Sequence, residues 1–362
     1  MKNINTFEEV ANNVLSANKK DIIVPSHKLR MLPPENDTGA PLLTMGGNGA
    51  RLTDTAHKQM ATYTGIPNNY YQKLKESSGL MLAGNVNYWL ENMPVNKDRM
   101  VRMLNGDIRA LLSSSYMAID NDLVIKHALP EVQKIGSDLY PIQAYATDDY
   151  MSLKFVHTSL KGSIDGKGEV SPGISITNSE TGNGRFNVQG FFFDSFCTNG
   201  CIWNLQNIDL QIKQVHRGSR LQQGVVSRET VGHIAAGYAS ATADIIRYLF
   251  SDTGFNNMLD TLRETREGEE VKPVHAADMV KHVGQQYQLT EEERAGMLES
   301  LMERNDFTRW GVLSAVTEQA NTTDNNDRIM HLENVGARII DLQREQWNRI
   351  VNRVNSTPIK VA

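Results

Sequence analysis

The chain has 362 residues, of which 40% are hydrophobic and 22% are charged, and this composition is typical of a folded protein with a substantial core. The net charge of −5 excludes a uniformly basic surface, so nucleic-acid binding would need a local cluster of cations. The sequence has no apolar run of about 18 residues, no apolar signal segment near its start and only two cysteines, which predicts a cytoplasmic protein that does not span a membrane.

The first predicted region, residues 1–95, is mostly helical and is interrupted by a Pro/Gly-rich arm at residues 32–53. Within this region, residues 57–75 have the spacing of a helix-turn-helix, with Gly65 at the turn and a second helix from about Pro67. That helix would offer four polar side chains to duplex DNA: Asn68, Asn69, Gln72 and Lys73. Its few cations also fit a plain pair of packed helices, so both interpretations stay open.

The second region, residues 96–224, is predicted to be a central antiparallel β-sheet domain. Asn105-Gly106 lies between two apolar-rich runs, and this dipeptide is the strongest short-range sequence signal for a β-hairpin. After one predicted helix, apolar-rich segments alternate with Gly, Asn and Asp turns, a pattern that is typical of strands joined by tight connections.

The third region, residues 225–362, is predicted to be helical. Small residues recur on one side of the segment 231–250, so a neighbouring helix can approach it closely. Thr290 and Glu293 form a capping-box pattern, and Trp347 begins an apolar series at helical spacing. The predicted fold class is therefore α+β, with a central antiparallel β-sheet and β-hairpins flanked by an N-terminal helical region and a C-terminal helical region.

Both cysteines lie in the stretch "DSFCTNGCIW", residues 194–203. A structural zinc site would need a second pair of ligands, and a redox pair is normally closer in sequence and placed at the start of a helix. A thiol nucleophile with His216 as its base has suitable residue types but no established geometry. We favour a structural turn between two strands, formed by Cys197, Thr198, Asn199 and Gly200.

Several motifs resemble, in the same order, the phage/plasmid-like protein family of the domain of unknown function 932. They are "LTDTAHKQMATYTGIPNNYYQKL", "GDIRALLSSSYMAIDN", "CTNG" followed by His-Arg-Gly at residues 216–218, and "GVLSAVTEQA". The resemblance extends over residues 52–337. The family commonly has an aliphatic residue at the position of Cys201, which argues further against a metal or redox pair. Membership would imply a phage, prophage or plasmid product of the bacterial cytoplasm, without an established reaction.

Eight cations of the second region are the candidate nucleic-acid-binding residues: Arg102, Arg109, Lys154, Arg185, Lys213, His216, Arg217 and Arg220. Five aromatic residues are interleaved with them: Tyr116, Tyr145, Tyr150, Phe191 and Phe193. A β-surface of this kind suits single-stranded DNA, because phosphates pair with the cations and bases stack on the rings. The same alternation is expected of a half-buried strand that turns its charges to water and its rings to the core.

We therefore expect a protein that binds single-stranded DNA in phage recombination or replication, as a strand-annealing homo-oligomer that aligns the basic faces of its subunits. The sequence predicts no cofactor, no metal site and no enzyme signature. Three other functions stay open. One is duplex DNA binding through residues 57–75, and another is a thiol- or metal-dependent enzyme centred on Cys197 and His216. The third is non-catalytic binding of a host factor through residues 231–243 and the helical tail. Besides single-stranded DNA, the predicted partners include a host or phage replication or recombination protein.

Overall fold

The computed structural model describes residues 7–37, 39–93, 97–164, 169–194, 200–202, 212–214, 227–323 and 325–358. These residues form an α+β fold with helices towards both ends of the chain and antiparallel sheets between them, which confirms the predicted fold class. Among the described helices, none combines the length and the apolar character that crossing a membrane requires.

The first part of the chain contains four helices and five strands in its described residues. They are α1 (Phe7–Ser16), β1 (Lys19–Pro25), β2 (Arg30–Leu32), β3 (Leu42–Thr44), α2 (Asp54–Thr64), α3 (Asn68–Ser77), α4 (Gly79–Glu91), β4 (Asp98–Leu104) and β5 (Asp107–Ser113). Strands β1, β4 and β5 form an antiparallel sheet, and the core beneath it includes Met60, Val101 and Ile108. We call residues 19–113 the N-terminal unit. Helix α1 packs elsewhere, because the ring of Phe7 lies 4.9 Å from that of Phe155 in the main core.

The hairpin predicted at Asn105-Gly106 is present between β4 and β5. Asn105 has φ 50° and Gly106 has φ 95°, so both central residues adopt the left-handed conformation of a type I′ turn. The hairpin pairs with β1, where Ile22 lies opposite Val101, and it is not part of the large sheet. The predicted boundary at residue 96 therefore falls within one small sheet and needs correction.

The large sheet follows α5 (Asn121–Ile135). Its strands are β6 (Leu139–Ala146), β7 (Met151–His157), β8 (Gly162–Ser163), β9 (Glu169–Asn178), β10 (Phe186–Asp194), β11 (Gly200–Ile202) and β12 (Ile212–Gln214). The main strand order is β11-β10-β9-β7-β6, while β8 pairs with β9 and β12 pairs with β10. Every pairing is antiparallel, as the sequence predicted for this region.

Alternation along the strands gives the large sheet one apolar face, while the other face is polar over much of its area and carries a small apolar cluster around Val156 and Phe191. Leu153 and Phe155 of β7 and Ile174 and Ile176 of β9 are buried in the main core, together with residues of α1 and α5. Burial of an apolar side chain of this size contributes about 1.5–3 kcal/mol, so this face holds the sheet against the helices. The alternate residues of the same strands carry hydroxyl, amide and charged groups on the other face.

Seven helices complete the described chain. They are α6 (Arg228–Leu249), α7 (Asp252–Glu264), α8 (Ala276–Tyr287), α9 (Glu291–Arg304), α10 (Arg309–Glu318), α11 (Asn326–Ile340) and α12 (Arg344–Asn355). Ala235, Ala239 and Ala243 are buried on α6, which packs against α5 as its small residues predicted. The capping box predicted from Thr290 and Glu293 is present at the start of α9.

Candidate functional site

A cleft of about 950 Å³ lies between the polar face of the large sheet and helix α11. This volume is at the upper end of the range of ligand-binding pockets, which is about 300–1,000 Å³. One end of the cleft is formed by the β6–β7 turn with Tyr150 and by the β9–β10 turn with Asn183, Gly184 and Arg185. The sheet therefore supplies the floor, α11 supplies the roof, and two turns supply one rim.

The floor consists of two rows of polar side chains that run across four neighbouring strands. Residues directly opposite each other in an antiparallel pair point to the same face, so the strand register defines each row. The first row is Gln143, Lys154, Ser175 and Gln189, and the second row is Tyr145, Ser152, Thr177 and Asn187. An uninterrupted polar surface of this size, covered by a helix, is more typical of a ligand site than of a core.

The roof is formed by polar residues at helical spacing on α11. Its cleft-lining side chains include His331, Glu333 and Arg338, and Asp341 follows just after the helix. His331 Nε2 lies 2.8 Å from the carbonyl oxygen of Tyr287, which fixes the position of the imidazole. Glu333 Oε1 accepts a hydrogen bond of 2.6 Å from Lys154 Nζ, so roof and floor are joined by an ion pair.

The Lys154–Glu333 pair is shielded from solvent, with side-chain exposures of 13% and 8%. Burial raises the pKa of the Glu333 carboxyl, and the neighbouring Lys154 ammonium only partly opposes this effect. The carboxylate oxygen Oε2 of Glu333 and the hydroxyl of Ser175 are buried and have no hydrogen-bond partner among the described residues.

The charged residues that line the cleft have a small positive net charge, which favours an anionic ligand. Lys154, Arg185 and Arg338 line it together with the carboxylates of Glu333 and Asp341. Arg185 and Arg338 are exposed, and within the described parts of the chain neither guanidinium forms an ion pair. The cleft thus carries a small local positive charge on a molecule whose net charge is −5.

Arg102 and Arg109 do not lie on a DNA-accessible surface, and the sequence prediction is wrong for these two residues. Their exposures are 0% and 2%. Arg102 Nε donates to Asp21 Oδ1 at 3.0 Å and Arg102 also pairs with Asp120, while Arg109 pairs with Glu180. Strand alternation predicted a solvent-exposed face for these arginines. In the structure that face is covered by Asp21, Asp120 and the β9–β10 turn with Glu180.

Glu180 is the centre of this buried network. It also accepts a hydrogen bond from Lys19 Nζ at 2.8 Å, and Lys19 donates to Asp122 at 2.8 Å. Burial alone would raise the pKa of the Glu180 carboxyl, but Arg109 and Lys19 lower it to about 2. The oxygens of Asp120, Asp122 and Glu180 lie within 4.8 Å of one another, as in a metal site. Their charges are already balanced by the three side chains Lys19, Arg102 and Arg109.

The remaining predicted cations have different positions. Lys154 and Arg185 both line the cleft. Lys213 lies opposite Asn187 in the pairing of β12 with β10. His216, Arg217 and Arg220 lie outside the described residues. The structure therefore brings together Lys154 and Arg185 from the predicted set.

The aromatic candidates divide in the same way. Tyr145 and Tyr150 line the cleft, whereas Phe191 and Phe193 belong to a small apolar cluster with Val156. Tyr116 donates a hydrogen bond to the carbonyl of Ser179 at 3.1 Å. Two of the five predicted rings therefore line the cleft.

The predicted turn at the cysteines is flanked by the expected strands. Gly200 begins β11, and Cys201 lies opposite Phe192 in its antiparallel pairing with β10. Cys197, Thr198 and Asn199, which would form the turn itself, lie outside the described residues.

The predicted helix-turn-helix segment forms two helices, α2 and α3. Gly65 has φ 72° and ends α2 in the left-handed conformation, as a sharp turn requires. Lys75 donates to Asp54 at 2.5 Å and packs back onto α2, which leaves Lys73 as the exposed cation of α3. This geometry does not create a basic recognition surface for duplex DNA.

Sequence reasoning missed the residues of α11 and the hydroxyl and amide residues of the floor. Two patterns could have identified them. His331, Asn334, Arg338 and Asp341 are spaced three, four and three residues apart, which places them on one side of a helix. Polar residues at positions 152 and 154, 175 and 177, and 187 and 189 recur with the period of a strand, which indicates a polar sheet face.

No protein-family model, curated protein or solved structure matches this chain. The resemblance to the phage/plasmid-like family stays a prediction.

Proposed function

We propose that the chain binds single-stranded DNA in the cleft between the large sheet and α11. The proposal is supported above all by the two four-residue polar rows of the floor, in a cleft that two exposed guanidinium groups, Arg185 and Arg338, also line. Hydroxyl and amide groups can both donate and accept hydrogen bonds, so such a floor complements base edges and sugars. Duplex DNA would present its bases inside the helix, out of reach of a covered floor.

Phosphate binding in this proposal is assigned to Arg185 and Arg338. They lie on opposite walls of the cleft, one on the β9–β10 turn and one on α11. A guanidinium matches the geometry of a phosphate and binds it through two parallel hydrogen bonds. Lys154 is not assigned to phosphate binding, because its ammonium pairs with Glu333 inside the cleft.

Base stacking is assigned to Tyr145 and Tyr150. Both are half-buried and line the cleft, Tyr145 from β6 and Tyr150 from the β6–β7 turn. Stacking of a base on an aromatic side chain contributes about 1–3 kcal/mol and tolerates any sequence. A strand that enters at the rim would meet Tyr150 on the β6–β7 turn and Tyr145 at the β6 end of the second floor row.

We place this activity in phage or other mobile-element DNA recombination or replication, in the cytoplasm of a bacterial host. A homo-oligomer would repeat the small positive charge of one cleft along a strand and so raise the apparent affinity of an acidic protein. A phage or host replication or recombination protein would be a partner in the same process.

The test is fluorescence anisotropy with a labelled single strand and its duplex at several salt concentrations. The wild-type protein is compared with Arg185→Ala, Arg338→Ala and the double variant. We expect the single strand to bind more tightly than the duplex, and each lost phosphate contact to reduce the slope of log affinity against log salt by about 0.7.

Arg344→Ala is the matched control, because Arg344 is exposed and pairs with Glu267 away from the cleft. It should bind as the wild type does. An unchanged isotherm for the double variant, with the strand still bound, would remove the assignment of the cleft.

A further inference from the structure

The centre of the cleft holds three polar side chains that form one cluster, which we call the floor cluster: Lys154, Ser175 and Glu333. Lys154 and Ser175 are directly opposite each other on β7 and β9 and point to the same face. Glu333 reaches them from α11, with its Oε1 atom 2.6 Å from Lys154 Nζ. All three residues line the cleft.

The floor cluster has unused hydrogen-bonding capacity in a buried position. Ser175 is 1% exposed and Glu333 is 6% exposed. Within the described chain, Ser175 Oγ and Glu333 Oε2 have no hydrogen-bond partner. Such atoms are normally paired in folded proteins, and an unpaired carboxylate oxygen on a residue that lines a cleft indicates a donor supplied by a ligand.

The pattern of donors and acceptors defines the ligand group that fits. Glu333 Oε2 requires a donor, the Lys154 ammonium has two further hydrogens for an acceptor, and the Ser175 hydroxyl can serve as either. Guanine has two adjacent donors, N1–H and the N2 amino group, next to the acceptor O6. Thymine has a single donor between two acceptors, and adenine and cytosine each have a single amino group beside an acceptor.

We propose that the floor cluster is a guanine-selective subsite, in which Glu333 accepts from N1–H and the N2 amino group while Lys154 donates to O6. This inference rests on the proposed binding of a strand in the cleft and specifies which base it retains. Ser175 positions the edge of the base against the sheet. Neighbouring bases stack without selection on Tyr145 and Tyr150.

The test compares oligothymidylate strands that carry one central deoxyguanosine or one central deoxyinosine. The two bases differ only in the N2 amino group. We expect the guanine strand to bind the wild-type protein about 10- to 150-fold more tightly, the range expected for one hydrogen bond to a charged group. Because this comparison needs no protein variant, it remains decisive if a substitution impairs folding.

Glu333→Gln should remove this preference, because its amide offers the bound edge a donor in place of an acceptor. Glu169→Gln is the matched control, since Glu169 also pairs with a lysine, Lys161, but both side chains are at least half exposed. It should keep the preference. Folding of each variant is checked by circular dichroism.

The outcomes separate the two proposals. Equal affinity for the guanine and inosine strands, with both firmly bound, would overturn the subsite and leave strand binding in place. Failure of any strand to bind would overturn the proposed function itself. Free dGMP should compete better than free dIMP. If dGMP alone binds as tightly as the guanine strand, the subsite stands and strand binding is refuted.

Discussion

Lys154 Nζ lies 2.6 Å from Glu333 Oε1, and this ion pair connects the middle of the large sheet to helix α11. The two residues are 179 positions apart in the sequence. Because the pair lies in the cleft and is largely shielded from water, it both holds α11 against the sheet and contributes to the proposed binding surface.

Removal of one partner of this pair should be strongly destabilising. Lys154→Met leaves the Glu333 carboxylate buried without its cation, and we expect a loss of about 3–5 kcal/mol in the free energy of unfolding. Lys161→Met is the control, because the exposed Lys161–Glu169 pair contributes under about 1 kcal/mol. Urea denaturation at neutral pH measures both values, and similar losses would contradict the burial of the first pair.

The same variant should change the pH dependence of stability. Burial raises the folded-state pKa of Glu333 above 4.5, so the folded protein holds this proton more tightly than the unfolded chain. The stabilising effect is complete below pH 4.5 and is lost as the pH rises through the folded-state pKa. Without Lys154 the pKa rises further, so urea midpoints measured from pH 4.5 upward should decline more steeply in Lys154→Met than in the wild type.

Arg109→Met tests the burial of the predicted DNA-binding arginines. The Arg109 and Glu180 side chains are 2% and 4% exposed, so loss of the guanidinium should lower the free energy of unfolding by about 3–5 kcal/mol. Arg185→Ala should leave stability within about 0.5 kcal/mol of the wild type and should instead weaken strand binding. Chemical denaturation and anisotropy, applied to both variants, distinguish the two roles. An Arg109→Met protein of normal stability would contradict the buried network.

His57 should make stability sensitive to mild acid. The imidazole is buried and its Nδ1 atom lies 2.9 Å from the Tyr71 hydroxyl. Burial, assisted by Lys75, lowers the pKa of His57 from 6.5 to about 4. Because the unfolded chain binds the proton first, the stabilising effect is complete above pH 6.5 and is lost as the pH falls towards 4, by about 3 kcal/mol.

The corresponding measurement is urea unfolding at pH 7 and pH 4.5. His57→Gln should show a smaller difference between the two pH values than the wild type. His233→Gln is the control, because His233 is exposed on α6, and it should reproduce the wild-type difference. Identical pH profiles for all three proteins would show that folding does not lower the pKa of His57.

The hairpin turn allows a test of backbone conformation alone. A side chain at Gly106 would meet no atom within 4 Å, but the residue has φ 95°. Gly106→Ala should therefore lower stability by about 1 kcal/mol or more through backbone strain. Gly47→Ala, which also meets no atom and has no positive φ, should change stability by less than about 0.5 kcal/mol in thermal unfolding. Equal effects would contradict the type I′ turn.

Local features of the fold were predictable from the sequence because their causes lie within a few residues. The Asn105-Gly106 turn, the capping box at Thr290 and the small-residue side of α6 all depend on neighbouring positions, and all are present. The partners of Arg102 and Arg109 were not predictable in this way. Glu180 lies 71 residues after Arg109, so no local pattern indicates that the two charges meet in a buried pair.

The cleft was likewise predictable only in its local features. Alternation in β7, β9 and β10 indicates a polar sheet face, but the helix that covers it begins about 130 residues later. From the sequence alone, the polar residues of α11 indicate an ordinary solvent-exposed helix face. The structure shows that they face the large sheet across the cleft. For the same reason, the strand pattern alone predicts a solvent-exposed surface for Arg102 and Arg109. Such a pattern does not reveal which elements pack against either face of the strand.

The β9–β10 turn is held from outside its own sheet. Glu180 binds Arg109, Gln59 Nε2 donates to the Thr181 carbonyl at 2.7 Å, and Asn183 Nδ2 donates to Thr55 Oγ1 at 3.3 Å. Arg185 follows within two residues and forms the rim of the cleft. Arg102 and Arg109 of the small hairpin therefore hold the β9–β10 turn in place through Glu180, and this turn carries Arg185 at the rim of the cleft. Loss of the small hairpin would therefore remove ionic contacts that hold the entrance of the cleft, although the hairpin belongs to a different sheet from the floor.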